Sequence, residues 1–101
     1  MPTYVILSNF TEQGIRNIKD SPARLDAIKA AVQQAGGKVL AFYLVMGRYD
    51  TVLIAEAPDD KTAAMMLLVT GAQGNTRTET LKAFTEDEYR EIIAASPLPI
   101  P

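Results

Sequence analysis

Two apolar runs of strand length, 39–45 (VLAFYLV) and 51–55 (TVLIA), are separated by the five residues Met46-Gly47-Arg48-Tyr49-Asp50. Both runs are rich in β-branched and aromatic residues, so the segment between them is a tight turn joining two neighbouring strands of a buried sheet. It brings glycine, an aromatic ring and both signs of charge together beside a core. Gly47 is expected to supply a positive φ for the turn, and Asp50 to accept backbone hydrogen bonds across it.

The rest of the chain follows from the same signals. Residues 4–9 (YVILSN) read as a first strand, apolar on both faces and therefore central. Residues 11–18 suit a short helical turn. Ser21-Pro22 reads as a helix start, with Ser21 as N-cap and Pro22 at the first helical position. Leu25, Ile28, Val32 and Ala35 then form one apolar stripe, and Gly36-Gly37 ends the helix with left-handed conformations. Pro58-Asp59-Asp60 opens a second helix, with acids at the positive end of its dipole. There Ala63, Met66, Leu67 and Thr70 face the sheet, while Met65, Leu68 and Val69 widen the apolar surface beyond what one sheet covers. Gly71 and Gly74 close that helix. Residues 76–84 make a fourth, more polar strand. Thr85-Glu86-Asp87-Glu88 is a capping box, flanked by Phe84 and Tyr89 at the staple positions, and opens a last helix to about Ala95. The segment 97–101 (PLPIP) is an extended Pro-rich tail. Its Leu98 and Ile100 alternate in a way that suits a neighbour's sheet edge.

This order predicts an α+β fold, ferredoxin-like βαββαβ, with a four-stranded antiparallel sheet, both main helices on one face and an extra C-terminal helix. The expected organisation is one domain over 1–96 with the tail beyond it. The other face of such a sheet is uncovered, yet its strands are apolar on both sides. Phe42, Leu44 and Met46, or their alternates Tyr43 and Val45, must meet something. The expected cover is the same face of a second copy, so that two sheets close into a dimeric α/β barrel.

Composition narrows function by exclusion. Net charge is −2 with acids and bases mixed along the chain, which argues against a nucleic-acid partner. No block of like charge suggests a membrane surface, and no apolar run reaches the roughly 20 residues that span a bilayer. The chain enters its first strand with no charged leader region, which makes the cytoplasm the expected location. There is no cysteine, hence no disulfide, thiol nucleophile or thiolate metal site. There is no histidine either, which removes the commonest general base and transition-metal ligand. No metal, no cofactor and no assigned catalytic residue are therefore expected.

Several motifs together resemble the GYD domain, a family of small bacterial proteins of uncertain function. They are residues 7–14 (LSNFTEQG), 18–24 (IKDSPAR), 47–50 (GRYD), 56–60 (EAPDD) and 78–84 (TETLKAF). The resemblance covers about residues 2–93. Arg48 stands between the glycine and tyrosine that the family's name places side by side. A more distant likeness is to the ligand-sensing domain of leucine-responsive (Lrp/AsnC-type) regulators. There a Gly-x-Tyr-Asp turn precedes the third strand and a Gly-x-x-Arg-Thr-x-Thr run, here beginning at Gly74, opens the fourth. Those domains form dimeric barrels that assemble further and bind amino acids between subunits. The resemblance thus implies an oligomer with an interfacial pocket. No helix-turn-helix half accompanies the domain in this chain.

Two functions from different classes fit. One is an oligomeric small-molecule-binding sensor or accessory module with an interfacial site. Its candidate residues are Gly47, Arg48, Tyr49 and Asp50 on the turn, with Lys19, Arg24 and Arg77 as cations for a small polar or anionic ligand. The plainer role of the turn is to shape the hairpin, and of the cations to form a solvated rim. The alternative function is a small cofactor-independent enzyme, a monooxygenase or isomerase of the dimeric α/β-barrel type. It needs a base near an apolar cavity, and Tyr4, Tyr43, Tyr49 and Asp50 are the candidates. A Tyr or carboxylate with a strongly shifted pKa in a closed cavity favours the enzyme; a shallow cleft with paired charges favours the binder.

Overall fold

A computed structural model describes residues 1–97 and Pro99. Eight elements are joined in the order β1 (Thr3–Phe10), α1 (Glu12–Arg16), α2 (Ser21–Gln34), β2 (Lys38–Leu44), β3 (Thr51–Glu56), α3 (Asp60–Ala72), β4 (Thr76–Ala83) and α4 (Glu86–Ala95), with a 3₁₀ turn at Ile18–Asp20. The strands form one antiparallel sheet in the order β2-β3-β1-β4. This is the expected ferredoxin-like arrangement: each strand–helix–strand unit leaves a gap that a strand of the other unit fills.

Strand alternation assigns the two faces. Tyr4, Ile6, Ser8 and Phe10 of β1 lie on the face covered by α2 and α3, in register with Ala55, Leu53 and Thr51 of β3. The buried apolar residues Tyr4, Val32, Leu53, Ala55 and Ala57 mark this layer. Between Val39 and Ala41 the β2 register slips, so that Leu40 is an extra residue. The slip settles which alternates on β2 turn inward. Phe42 lines the helix side, and Tyr43, paired with Val52, is 58% exposed on the other.

The open face carries Val5, Leu7, Val52, Ile54, Tyr43 and Leu81, which pair with one another across the four strands. No helix among the described residues covers them. The last helix does not close over either face. Every residue of α4 except Glu88 is exposed, including Tyr89, Ile92 and Ile93 at helical spacing. The radius of gyration is accordingly 15.8 Å, against about 13 Å for a compact chain of this length.

The helix ends show where local rules hold. Thr85 and Glu88 make both bonds of a capping box, Asp59 caps α3 by accepting from Thr62 N–H at 2.8 Å, and Thr11 caps α1. Ser21 is not the N-cap of α2. It is helical, because the 3₁₀ turn Ile18–Asp20 runs straight into the helix and moves the cap position back to Asp20. Of the pair Gly36-Gly37, only Gly36 has positive φ, at 89°. Gly37 serves a close approach instead, since a Cβ there would sit 2.3 Å from the Glu56 carbonyl oxygen. Among the described residues no helix is long and apolar enough to cross a membrane. Leu98 and Ile100 lie outside the described residues.

Candidate functional site

The polar turn binds three strands together. Gly47 has φ 143° and open space around it, so its role is conformational. The Val45 N–H donates to the Asp50 carbonyl at 2.8 Å, closing the hairpin. Asp50 does not bridge the turn with its carboxylate, as the sequence suggested. Its N–H donates to the Ser8 carbonyl at 2.9 Å, and its Oδ2 accepts from the Phe10 N–H at 2.9 Å. The reason is register: Asp50 directly precedes Thr51, which pairs with Ser8, so its side chain reaches the next free donor along β1.

Tyr49 extends the same device across the sheet. Its hydroxyl donates to the Glu79 carboxylate on β4, and the Arg48 guanidinium lies 5.5 Å from its ring centroid. Glu79 is opposite Leu7 on the open face, so Tyr49 spans the end of that face. Its pKa is raised, first by the hydrogen bond to Glu79, then by desolvation and the Glu79 charge, with Arg48 opposing. Arg77, two residues before Glu79 and opposite Asn9, is on the same face.

The other two cations lie elsewhere. Lys19 is exposed on the 3₁₀ turn. Arg24, in the first turns of α2, lines a cavity on the helix-covered side of the sheet. The contacts of Arg48 and Arg24 are separate ones: Arg48 lies over the Tyr49 ring, while Arg24 donates to the Asn17 carbonyl. The turn, Glu79 and Arg77 form one group on the open face; Arg24 belongs to another.

That second group is a cavity of about 130 Å³ between the sheet and the two long helices. Its walls are mostly apolar and include Ile6, Leu25, Ile28, Phe42, Leu53 and Met66. α2 and α3 leave a groove between them above it. Leu25, Ile28 and Val32 of the anticipated α2 stripe and the whole inward row of α3 line the cavity, while Ala35 lines the groove.

At the far end of the cavity, Tyr4 is buried, with 5% of its surface exposed. Its hydroxyl donates to Asp60 Oδ1 at 2.5 Å, and Lys82 Nζ donates to Asp60 Oδ2 at 3.0 Å. Burial first, then the hydrogen bond to Asp60, then the charges of Asp60 and Asp59 push the Tyr4 pKa from 10.0 to about 12. The two donors, Tyr4 first and Lys82 second, lower the Asp60 pKa. Sequence reasoning placed Asp59 and Asp60 at the positive end of the helix dipole, which holds for both: Asp59 is the N-cap and Asp60 is in the first turn. No local signal marks Asp60 as the hub of a tertiary network.

Residues 4–93 match the GYD domain family. A Thermus thermophilus protein described as "Glutamine synthetase and cystathionine beta-lyase binding protein" is 34% identical over 84 residues, covering 82% of this chain and 88% of its own. A crystal structure of TTHA0845, also from Thermus thermophilus, superposes with a TM-score of 0.49 at 25% identity, covering 84% of this chain and 95% of that one.

Proposed function

From the premise that this chain belongs to the GYD domain family, we propose that it is a homo-oligomeric accessory protein that acts by binding other proteins. The observation that carries the reading is the uncovered apolar face: Val5, Leu7, Val52, Ile54, Tyr43 and Leu81 on a sheet with helices on one side only. A face of that kind is stable when it is buried against another surface. A second copy offers a self-complementary one. The exposed Tyr89, Ile92 and Ile93 of α4 supply an arm that packs on the partner copy.

Association through the sheet leaves the outer row of α3 free. Met65, Leu68 and Val69 are 55%, 75% and 56% exposed there, an apolar strip suited to a protein partner. The similar Thermus protein is named for binding glutamine synthetase and cystathionine beta-lyase. Enzymes of those two kinds are the first partners to test for this chain. The turn Gly47–Asp50, with Arg77 and Glu79 beside it, borders the proposed interface and is the place for a small polar or anionic ligand of the oligomer.

The geometry serves the cofactor-independent enzyme less well. Tyr4 lines the cavity but holds its proton to about pH 12 and commits it to Asp60, so it is a poor base at neutral pH.

The test is sedimentation velocity of the purified protein, followed by affinity capture with glutamine synthetase and cystathionine beta-lyase from the same organism. The expected result is a dimer or larger species that retains at least one of the enzymes. A stable monomer at micromolar concentration that retains neither overturns the proposal.

A further inference from the structure

The cavity beneath α2 and α3 has a polar end and an apolar body, and sheet register creates the division. Thr51, Ser8 and Thr78 are direct neighbours across β3, β1 and β4, so they form one transverse row of hydroxyls on the cavity wall. Ser8 and Thr51 are buried, and neither hydroxyl is hydrogen-bonded to another described residue. The next row inward is apolar: Ile6 pairs with Leu53, and Leu53 with Phe42.

Arg24, in the first turns of α2, is the one cation among the residues lining the cavity. Its Nη1 donates to the Asn17 carbonyl at 3.0 Å, which ties the guanidinium to the residue that ends α1. Its Nη2 is buried and has no hydrogen-bond partner among the described residues. A buried, charged donor without an acceptor is costly, and a planar guanidinium edge is shaped for a carboxylate. Glu56, the one acidic residue among those lining the cavity, is at the opposite end of β3. An anion entering the cavity is therefore directed toward Arg24. Access is through the groove between the helices, since Arg24, Ile28, Met66 and Thr70 line both groove and cavity.

We propose that this cavity binds one small amphipathic monocarboxylate, with its carboxylate on Arg24 Nη2 and the Thr51–Ser8–Thr78 row. Its hydrocarbon body packs against Ile6, Phe42, Leu53 and Met66. The volume, about 130 Å³, resembles the roughly 150 Å³ apolar cavity that accepts benzene. A single ring or short branched chain fits; a long acyl chain does not. The site is on the sheet face opposite the one assigned to self-association, so its success or failure is independent of that reading.

The experiment is calorimetric titration of the full-length protein with benzoate, with its neutral isostere benzamide, and with acetate, which has the head group but no body. Amide chemical-shift mapping locates the binding. Benzoate is expected to bind at least about tenfold more tightly than benzamide, the margin of a charge-assisted hydrogen bond, and acetate more weakly than either. The shifts are expected at Ile6, Ser8 and Thr51. Arg24→Gln is expected to bring benzoate down to the benzamide level. The double variant Ser8→Ala, Thr51→Val keeps Arg24, weakens benzoate and covers the case in which Arg24→Gln does not fold. Equal binding of benzoate and benzamide, no binding of benzoate, or shifts confined to Tyr49 and Arg77 overturns the proposal.

Discussion

Tyr4 and Asp60, 56 residues apart in sequence, are joined at 2.5 Å across the boundary between the central strand and the start of α3. The tyrosine is buried, and the carboxylate is its hydroxyl's one hydrogen-bond partner among the described residues. The pair fastens α3 to β1 at the end where Asp59 caps the helix. Tyr4→Phe leaves the ring in place and removes only the donor. The expected loss is about 2 kcal/mol, the range for a hydrogen bond to a charged group. Urea denaturation of the two proteins measures it. An unchanged midpoint means that the bond adds nothing to stability.

The same pair fixes the alkaline limb of the stability curve. The folded pKa of Tyr4 is raised from 10.0 to about 12. A raised value contributes stability that is complete below the unfolded pKa and is lost as pH rises through the folded one. Stability is therefore expected to fall between about pH 10 and pH 12, with tyrosinate absorbance appearing late. Tyr4→Phe is expected to flatten that fall. Thermal melts across this range, followed in parallel with ultraviolet titration, compare the two proteins.

The acid limb has the opposite sign. Hydrogen bonds from Thr62 hold the Asp59 pKa down, those from Tyr4 and Lys82 hold Asp60 down, and those from Thr85 hold Glu88 down. Depressed carboxylates contribute stability that is present above their unfolded pKa and lost as pH falls through the folded values. The melting temperature is expected to drop as pH falls below the usual carboxylate range. Asp59→Ala is expected to lower it at neutral pH and to shallow the acid slope. A slope identical to wild type sinks this assignment.

Much of this fold was legible because its signals are local. Apolar runs of strand length marked the first three strands, a more polar run marked the fourth, and Thr85 to Glu88 marked a capping box that forms as read. What was not legible depends on tertiary register. Leu40 carries no glycine or proline to announce a bulge, yet the slip there decides that Phe42 and not Tyr43 faces the helices. The cations Arg24 and Arg48 are each plausible ligands in sequence, and only the fold gives them different surroundings, a cavity wall for Arg24 and the Tyr49 ring for Arg48. The hydroxyl row Thr51, Ser8 and Thr78 is assembled from three strands, so no window of sequence contains it.

Three glycines separate steric from conformational need. A Cβ on Gly14 would sit 2.1 Å from the Asn75 carbonyl oxygen, a backbone atom that cannot move aside cheaply. Gly14→Ala is expected to cost about 1–3 kcal/mol, as overpacking does. Gly47→Ala meets no neighbour, but its φ of 143° is unfavourable for any side chain, and about 1–3 kcal/mol is expected from strain alone. Gly71 is inside α3 with open space around it and no positive φ. Gly71→Ala is expected to stabilise by about 0.5–1 kcal/mol through helix propensity. Denaturation midpoints of the three variants should order as Gly71→Ala above wild type and the other two below it.

The open face yields the most direct test of assembly. Ile54 is in the middle of it, paired with Val5 on one side and Ala41 on the other. A lysine there remains solvated in a monomer, because no helix among the described residues covers that side of the sheet. In a sheet-to-sheet dimer the same ammonium is buried against apolar side chains without a partner, which is prohibitive. Ile54→Lys is therefore expected to keep its circular dichroism spectrum and to sediment as a monomer at concentrations where the wild type is a dimer. Leu53→Lys, on the neighbouring residue but facing the helices, is expected to unfold the chain instead. If Ile54→Lys sediments as the wild type does, the interface lies elsewhere and the exposed rows of α3 and α4 become the surfaces to test.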